Sequence, residues 1–517
     1  MTSGIHHVTL ITGDVQANVD FYAGFLGLRL VKRTGGYEDA RQLHLFYGDR
    51  AASPGSLVTF LVWQGGSSGQ AGAGQVSEIA LAVAPGAIGY WLERALTHQV
   101  KVEGTGQEFG ETVLRLRDPD NVLVKLVSAS LPALDMPSGD IPPEQRIRRI
   151  RGVTLLSEVQ EETSAFLGRF GFRPDAAEGP VQRLVSDIGD VIDVREAAGF
   201  WPGAPGTGTA DHVAVRAADA QEVEAVEAEL RRRNSSLTNL HDRHYFTSLY
   251  VREPGNVLIE MASDGPGFTL DETLETLGTT LFMPPDTPDP DAMKVMLPQF
   301  GLPGEERVVY RDLIYKHRFF TPDMPDGSTL ALLHGTGGDE ADLMPLAHRA
   351  APRATLLGLR GRSTETGSRR WFRSFGPSIF DQKDIRFESG ALNAFFEEAR
   401  AAYGFDADTL AALGYSNGAN LLGAAMLLHP HMLRRAILLR PAMVLDAAPE
   451  TDLGGASILL LLGADDAFRA QGERLAEVLE AAGADVTTRV VAGGHMLGDE
   501  DAPAIADWLG QAALGPT

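Results

Sequence analysis

The segment Gly414-Tyr415-Ser416-Asn417-Gly418 places a serine between two glycines, directly after the apolar run Leu410 to Leu413 and before the helix-like run Ala419 to Leu428. A strand–turn–helix of this kind lifts a hydroxyl to the edge of a sheet, where it becomes a nucleophile once a base takes its proton. Asp465 and Asp466 follow the apolar run Ile458 to Leu462, and His495 follows Val490-Val491-Ala492-Gly493-Gly494. Serine, acid and histidine in that order supply nucleophile, orienting carboxylate and general base. Upstream, His334-Gly335-Thr336-Gly337-Gly338 closes a further apolar run, Leu330 to Leu333.

A different chemistry sits at the start, in Gly4-Ile5-His6-His7-Val8-Thr9-Leu10-Ile11-Thr12-Gly13-Asp14. A single strand histidine is more often a structural hydrogen-bonder than a metal ligand, but internal repetition changes the balance. Val8 to Gln16 resembles Val153 to Gln160, Glu78 to Val83 resembles His212 to Ala217, and Arg117 to Leu123 resembles Arg252 to Leu258. In these alignments His7 corresponds to Gly152, Glu78 to His212, and Lys125 to Glu260. One complete set, His7, His212 and Glu260, emerges from the first and fourth units. The complementary set cannot hold a metal, because Gly152 has no side chain and Lys125 is cationic. Two imidazoles and a carboxylate leave open coordination positions and suit a non-haem Fe(II) that binds substrate and O2 together; Mn(II) also fits, and zinc is a further option.

The elements that must position these residues follow from the same repeats. Each unit reads as a strand, a helix and further strands, in the order A, B, A, B, and both A units carry an acidic capping position between strand and helix. Residues 1–140 hold the first pair and 141–264 the second. Residues 265–304, rich in Pro and Asp, read as a linker or extended arm. Residues 305–517 change period: short unbroken apolar runs alternate with helices, which indicates a mostly parallel sheet covered on both faces. The expected fold class is α+β for the repeats and α/β for the remainder.

The strand–turn–helix openings and the Arg252-Glu253-Pro254-Gly255-Asn256-Val257-Leu258-Ile259-Glu260 type of ending resemble the vicinal oxygen chelate, or glyoxalase/dioxygenase, superfamily, which implies four βαβββ units paired into cupped sheets. At finer grain His6, His7 and Thr9, the strand His44 to Asp49, and the run Asp242 to Gly255 resemble ring-cleaving dioxygenases of the hydroquinone type. Leu277 to Pro285 resembles the C-terminal arm of that family. The resemblance implies His7, His212 and Glu260 as iron ligands, with Arg243 and Tyr250 beside a small aromatic substrate, O2 as co-substrate, and ring opening next to a hydroxyl group. His6 is ambiguous, since strand neighbours point to opposite faces, whereas Thr9 shares a face with His7. The family often has a histidine where this chain has Asp211, which leaves Asp211 to orient a ligand or accept a proton. A glyoxalase-type lyase or isomerase is the alternative, and a cup that only binds an aromatic ligand is another.

The serine segment resembles small carboxylesterase/phospholipase-like α/β-hydrolases. That resemblance selects Asp466, through the pattern G-x-x-D, as the partner of His495, and the backbone N–H groups of Thr336 and Asn417 as the oxyanion site. It implies an ester or acyl substrate. The basic stretch Arg360-Gly361 and Arg369 to Arg373 is either a substrate loop or a solvated one.

Sixty-nine acidic against 45 basic side chains give a formal net charge of −24. That argues against nucleic acid or an anionic membrane as partner. The absence of cysteine excludes disulfides, thiolate metal sites and a cysteine nucleophile. The N-terminus enters strand pattern directly and no apolar run approaches the length of a membrane span, so a cytoplasmic protein is expected. Cups of the resembled superfamily often assemble, so a homo-oligomer fits the reading.

Overall fold

The computed structural model describes residues 3–137, 139–233, 239–307, 309–364, 367–376 and 379–512. Contacts divide the chain into two units, Met1–Thr287 with Phe300–Arg307, and Pro288–Gln299 with Val308–Thr517.

The first unit is four βαβββ repeats. The first comprises β1 (Ile5–Thr12), α1 (Val15–Val19), β2 (Arg29–Gly35), β3 (Leu43–Gly48) and β4 (Leu57–Val62). The second comprises β5 (Gln75–Val83), α2 (Ile88–Thr97), β6 (Lys101–Glu108), β7 (Glu111–Arg117) and β8 (Leu123–Ser128). The third runs through β9 (Arg149–Ser157), α3 (Gln160–Leu167), β10 (Arg173–Glu178), β11 (Val181–Val185) and β12 (Val191–Glu196). The fourth runs through β13 (Ala210–Ala217), α4 (Ala220–Arg232), β14 (Asn239–Asp242), β15 (Phe246–Arg252) and β16 (Leu258–Pro266). Asp14 and Asp219 cap α1 and α4 by accepting the N–H of Ala17 and Glu222. Val159 holds the capping position of α3 instead, and there Ser157 Oγ accepts the Val159 N–H.

The sheets join repeats that are not neighbours in sequence. One has the order β14-β15-β16-β13-β1-β4-β3-β2, and the other β10-β11-β12-β9-β5-β8-β7-β6. The first repeat therefore meets the fourth and the second meets the third, so residues 1–140 and 141–264 each give one repeat to each sheet. Both seams, β1 against β13 and β5 against β9, are antiparallel and irregular at equivalent places. The pairing shifts between Ile5 and His7 and again between Thr9 and Leu10, so His6 and Asp211 are the extra residues of two bulges.

Of the stretch after the repeats, residues up to Thr287 and Phe300–Arg307 belong to this unit, and Pro288–Gln299 to the second. Strand β17 (Leu281–Phe282) adds in parallel to β2 and covers its edge. Lys32 on β2, fully buried, reaches Asp271 at 2.7 Å and Glu272 at 2.5 Å.

The second unit carries a seven-stranded sheet: β18 (His317–Phe320), β19 (Thr329–Leu333), β20 (Thr355–Leu359), β23 (Leu410–Tyr415), β24 (Arg435–Leu439), β25 (Ser457–Gly463) and β26 (Asp485–Val491), in the order β18-β20-β19-β23-β24-β25-β26. Only β18 runs antiparallel. Strands β21 (Ser374–Gly376) and β22 (Ile379–Phe380) form a separate ribbon. Helices α7 (Gln382–Tyr403), α8 (Asn417–Leu428) and α9 (Arg469–Ala481) bury one face, where Ala331 and Leu333 point. Helices α5 (Pro290–Met296), α6 (Met344–Ala350) and α10 (Asp501–Ala512) cover the other, where Leu330 and Leu332 point. Apolar residues on both faces of every central strand explain the unbroken runs read from the sequence. Among the described residues no helix is long and apolar enough to cross a membrane.

Two candidate active sites

Strands β1, β13 and β16 bring His7, His212 and Glu260 together, all buried. His7 Nε2 lies 3.2 Å from His212 Nε2 and 3.0 Å from Glu260 Oε2, and His212 Nε2 lies 2.8 Å from the same oxygen. Glu260 Oε2 accepts no hydrogen bond with proper geometry, although both imidazoles approach it. Three lone-pair atoms thus converge on one point. Ligand atoms about 2.1 Å from an ion stand about 3.0 to 3.4 Å apart, so the three atoms are near enough to share one ion. Burial alone would raise the Glu260 carboxyl, but His7 and His212 outweigh it and hold the group well below the usual range. Burial lowers His212, yet Glu260 and Asp211 overcome this and bring it up to about 9. Two imidazoles and a carboxylate, all buried and within reach of one point, are a donor set that fits a divalent metal.

The two bulges furnish the supports of the ligands. Asp211 Oδ2 lies 2.7 Å from His212 Nδ1, and His6 Nδ1 lies 2.9 Å from His7 Nδ1. Each imidazole of the cluster is therefore held at Nδ1, which leaves Nε2 directed at Glu260. Burial and the neighbouring His7 push His6 down to about 3, so it is neutral and can accept the His7 Nδ1–H. Ser248 donates to Glu260 Oε1. Thr9 Oγ1 lies 2.8 Å from His212 Nε2 and 2.8 Å from Thr59 Oγ1, which in turn lies 3.0 Å from His44 Nε2.

A cavity of about 610 Å³ opens on His7 and His212. Its wall carries Tyr37, His44, His241, Arg243, Phe246 and Tyr250. Tyr250 pairs with Glu260 across the β15–β16 ladder. The Arg243 guanidinium stands 5.3 Å from the Tyr250 ring centre and 5.5 Å from that of Tyr37, close enough for cation–π attraction.

The second unit assembles the other set. Ser416 Oγ lies 2.8 Å from His495 Nε2, and His495 Nδ1 lies 2.9 Å from Asp466 Oδ2. Ser416 has φ 51° and ψ −114°, a conformation that side-chain-bearing residues rarely adopt and that the turn imposes to expose the hydroxyl. The flanking glycines are required by space. A Cβ at Gly418 would stand 2.2 Å from the Leu333 carbonyl oxygen, and one at Gly414 would stand 2.7 Å from Ala419. Among the described residues no acceptor is bonded to the backbone N–H of Thr336 or Asn417. Gly361 N–H donates to His334 Nε2 at 2.9 Å, so the His334 proton is on Nδ1, which faces the Gly335 carbonyl at 2.6 Å. Asn417 Oδ1 accepts the Trp371 N–H, and Trp371 Nε1 donates to the His334 carbonyl, each at 2.8 Å.

The glyoxalase/bleomycin resistance protein/dioxygenase superfamily model matches residues 4–126. The Bacillus subtilis protein named "Putative ring-cleaving dioxygenase MhqO" is 37% identical over 290 residues, 55% of this chain and 91% of that protein. The chain belongs to this superfamily. A "Chlorohydroquinone/hydroquinone 1,2-dioxygenase" of Sphingobium indicum is 33% identical over 300 residues, 54% of this chain and 91% of that one. A further Bacillus subtilis protein, "Putative hydrolase MhqD", is 33% identical over 189 residues, 36% of this chain and 94% of its own length. One chain thus combines a glyoxalase-fold unit close to ring-cleaving dioxygenases with an α/β unit similar to a hydrolase.

Within the superfamily unit, sequence reasoning passed over Ser248, Phe246, Thr59 and His44. Ser248 stands two residues before Tyr250, so period-2 alternation could have found it. Phe246 packs its ring 5.3 Å from His6 and 5.6 Å from His7, across strands that only the fold brings together. The basic loop of the second unit is largely paired. Arg360 makes a bidentate contact with Glu340 at 2.5 and 2.6 Å, Arg362 meets Glu388 at 2.8 Å, and Arg373 meets Asp381 at 3.1 Å.

Proposed function

We propose that this chain is a bifunctional enzyme. The first unit holds Fe(II) on His7, His212 and Glu260 and opens the ring of a hydroquinone with O2, and the second is a serine hydrolase of ester or acyl substrates. The observation that carries the first half is the convergence of three ligand atoms, 2.8 to 3.2 Å apart, at a cavity walled by aromatic rings and one arginine. The likeness to a protein named as a hydroquinone dioxygenase supports the substrate class. Mn(II) fits the same donor set.

When bound, Fe(II) supplies a path for electrons from an electron-rich phenolate ring to O2. The chain's own residues do the rest. Asp211 and His6 keep the two imidazoles oriented through Nδ1. Arg243 and Tyr250 face the substrate and stabilise negative charge that develops on oxygen. Phe246 and Tyr37 enclose the ring and exclude water. In the second unit His495 takes the proton from Ser416, Asp466 holds the imidazole tautomer, and the N–H groups of Thr336 and Asn417 receive the oxyanion.

The test is O2 uptake with hydroquinone after anaerobic loading with Fe(II), alongside hydrolysis of p-nitrophenyl acetate. His212→Ala should abolish uptake and keep ester hydrolysis, and Ser416→Ala should do the reverse. Iron-replete protein that consumes no O2 would sink the dioxygenase reading.

A further inference from the structure

Ring opening dictates the chemistry of its own product. When O2 cleaves hydroquinone between a hydroxyl-bearing carbon and its neighbour, the first carbon becomes a carboxylic acid and the second an aldehyde. The remaining hydroxyl, in the keto form, makes the six-carbon product a β-ketoaldehyde acid, HOOC–CH=CH–CO–CH2–CHO. This molecule contains a carbon–carbon bond that a serine triad can cleave by ordinary acyl transfer, because the departing fragment is an enolate stabilised by the aldehyde. It also carries a carboxylate on the acyl side, so its hydrolase needs a cation near the oxyanion site.

Arg369 meets that need. Its carbonyl accepts the Gly337 N–H at 2.8 Å, next to Thr336 in the oxyanion loop. Two residues later the Trp371 N–H reaches Asn417 Oδ1 at 2.8 Å, so the segment is strapped to both halves of the oxyanion site. The Arg369 side chain is 42% exposed, and its guanidinium makes only a long ion pair, 3.7 Å, with Asp339. Arg360 and Arg362 in the same loop are instead locked onto Glu340 and Glu388.

We propose that Ser416 hydrolyses the ring-opened acid at the bond between its ketone carbon and its methylene, with Arg369 pairing with the carboxylate; this rests on the ring-cleavage reading above. Ser416 Oγ adds to the ketone carbon and its proton passes to His495 Nε2. The oxyanion sits between the N–H groups of Thr336 and Asn417. As it collapses, the carbon–carbon bond breaks and its electron pair goes to the two-carbon enolate. That fragment takes the proton from His495 and leaves as acetaldehyde. One water, deprotonated by His495, then releases butenedioic acid and restores Ser416. Water is the only co-reactant, and nothing is oxidised or reduced in this step.

Iron-loaded protein given hydroquinone and O2 should consume O2 and yield butenedioic acid and acetaldehyde in equal amounts, whereas Ser416→Ala protein should accumulate the six-carbon acid. That acid, collected and supplied to fresh enzyme, should show a KM raised by about tenfold in Arg369→Gln, with kcat less affected and Arg369→Lys recovering most of the loss. O2 uptake with the six-carbon acid persisting in the wild-type reaction overturns the hydrolysis. Formate in place of acetaldehyde overturns the assigned bond and the role of Arg369. Absence of O2 uptake overturns the ring-cleavage reading itself, and the proposal with it.

Discussion

Lys125 Nζ lies 2.8 Å from Glu78 Oε2 and 3.0 Å from Glu108 Oε2. It occupies the seam position at which the other sheet carries Glu260: Lys125 pairs with Ala80 as Glu260 pairs with Ala214. An ammonium thus stands where the sister seam gathers His7, His212 and Glu260. The position equivalent to His7 is closed as well, because a Cβ at Gly152 would stand 2.3 Å from the Val191 carbonyl oxygen. Burial would raise Glu78, but Lys125 and Thr154 hold it below its ordinary value. Lys125→Met leaves these carboxylates facing one another and should cost about 2 kcal/mol, less than for a fully buried pair because both acids are partly exposed. The urea midpoint measures this. A variant as stable as wild type would show that the ammonium does not hold the seam.

The arm after the fourth repeat gives a pH-dependent prediction. Lys32 and the N–H groups of Thr280 and Gly278 hold Glu272. Burial opposes ionisation, yet these partners lower the carboxyl from 4.5 to about 2. A depressed folded-state value contributes stability above the unfolded value and loses it as pH falls through the folded one. Glu272→Gln should therefore be destabilised by about 2 kcal/mol at neutral pH, with the gap to wild type closing below pH 4.5. Paired thermal melts across that range are the check, and a gap that widens on acidification would contradict it.

Metal binding should register in stability independently of turnover. Anaerobic Fe(II) at a hundredfold excess over its dissociation constant should stabilise wild-type protein by about 2.7 kcal/mol. Glu260→Gln, which keeps the shape but removes the buried charge, should show little of this shift. An equal shift in both proteins would place the iron elsewhere.

In the second unit a buried arginine holds the loop that carries His495. Arg440 contacts Asp501 at 2.7 and 3.0 Å, and donates to the carbonyls of Gly494 and Met496, the two neighbours of His495, at 3.1 and 3.4 Å. Asp501→Asn should lower esterase kcat/KM by about 10- to 100-fold through displacement of His495. The double variant Arg440→Met/Asp501→Leu should recover stability without recovering activity. Full activity in that double variant would deny the pair a positioning role.

The cluster of His7, His212 and Glu260 was legible in the sequence because the repeats keep their register. Once Glu78 is matched with His212, the odd residues stand out against their sisters. His6 stayed ambiguous in the sequence and Asp211 was placed only through the family resemblance, because each sits in a bulge. An extra residue shifts a strand's facing, and alternation along one strand cannot reveal it. The arm illustrates the same limit. Its prolines and aspartates read as a linker or an extended arm, and it took the fold to show that Glu272 finds its counter-charge on Lys32 and that β17 seals the edge of β2. The basic loop was likewise open to two readings until Glu340 and Glu388 arrived beside it from elsewhere in the chain.

What the sequence determined alone was local or ordinal: four repeated units, a parallel α/β segment, an elbow serine, and the succession of serine, acid and histidine. Those properties follow from hydrophobic period and turn chemistry, which act over a few residues. Only the tertiary structure decided that the first repeat pairs with the fourth, that two bulges bring Asp211 and His6 to the backs of the ligand imidazoles, and that Arg369 rests against the oxyanion loop. Each of these depends on contacts between residues far apart in the chain. Such contacts are set by how sheets close and cores pack, and no linear pattern records them.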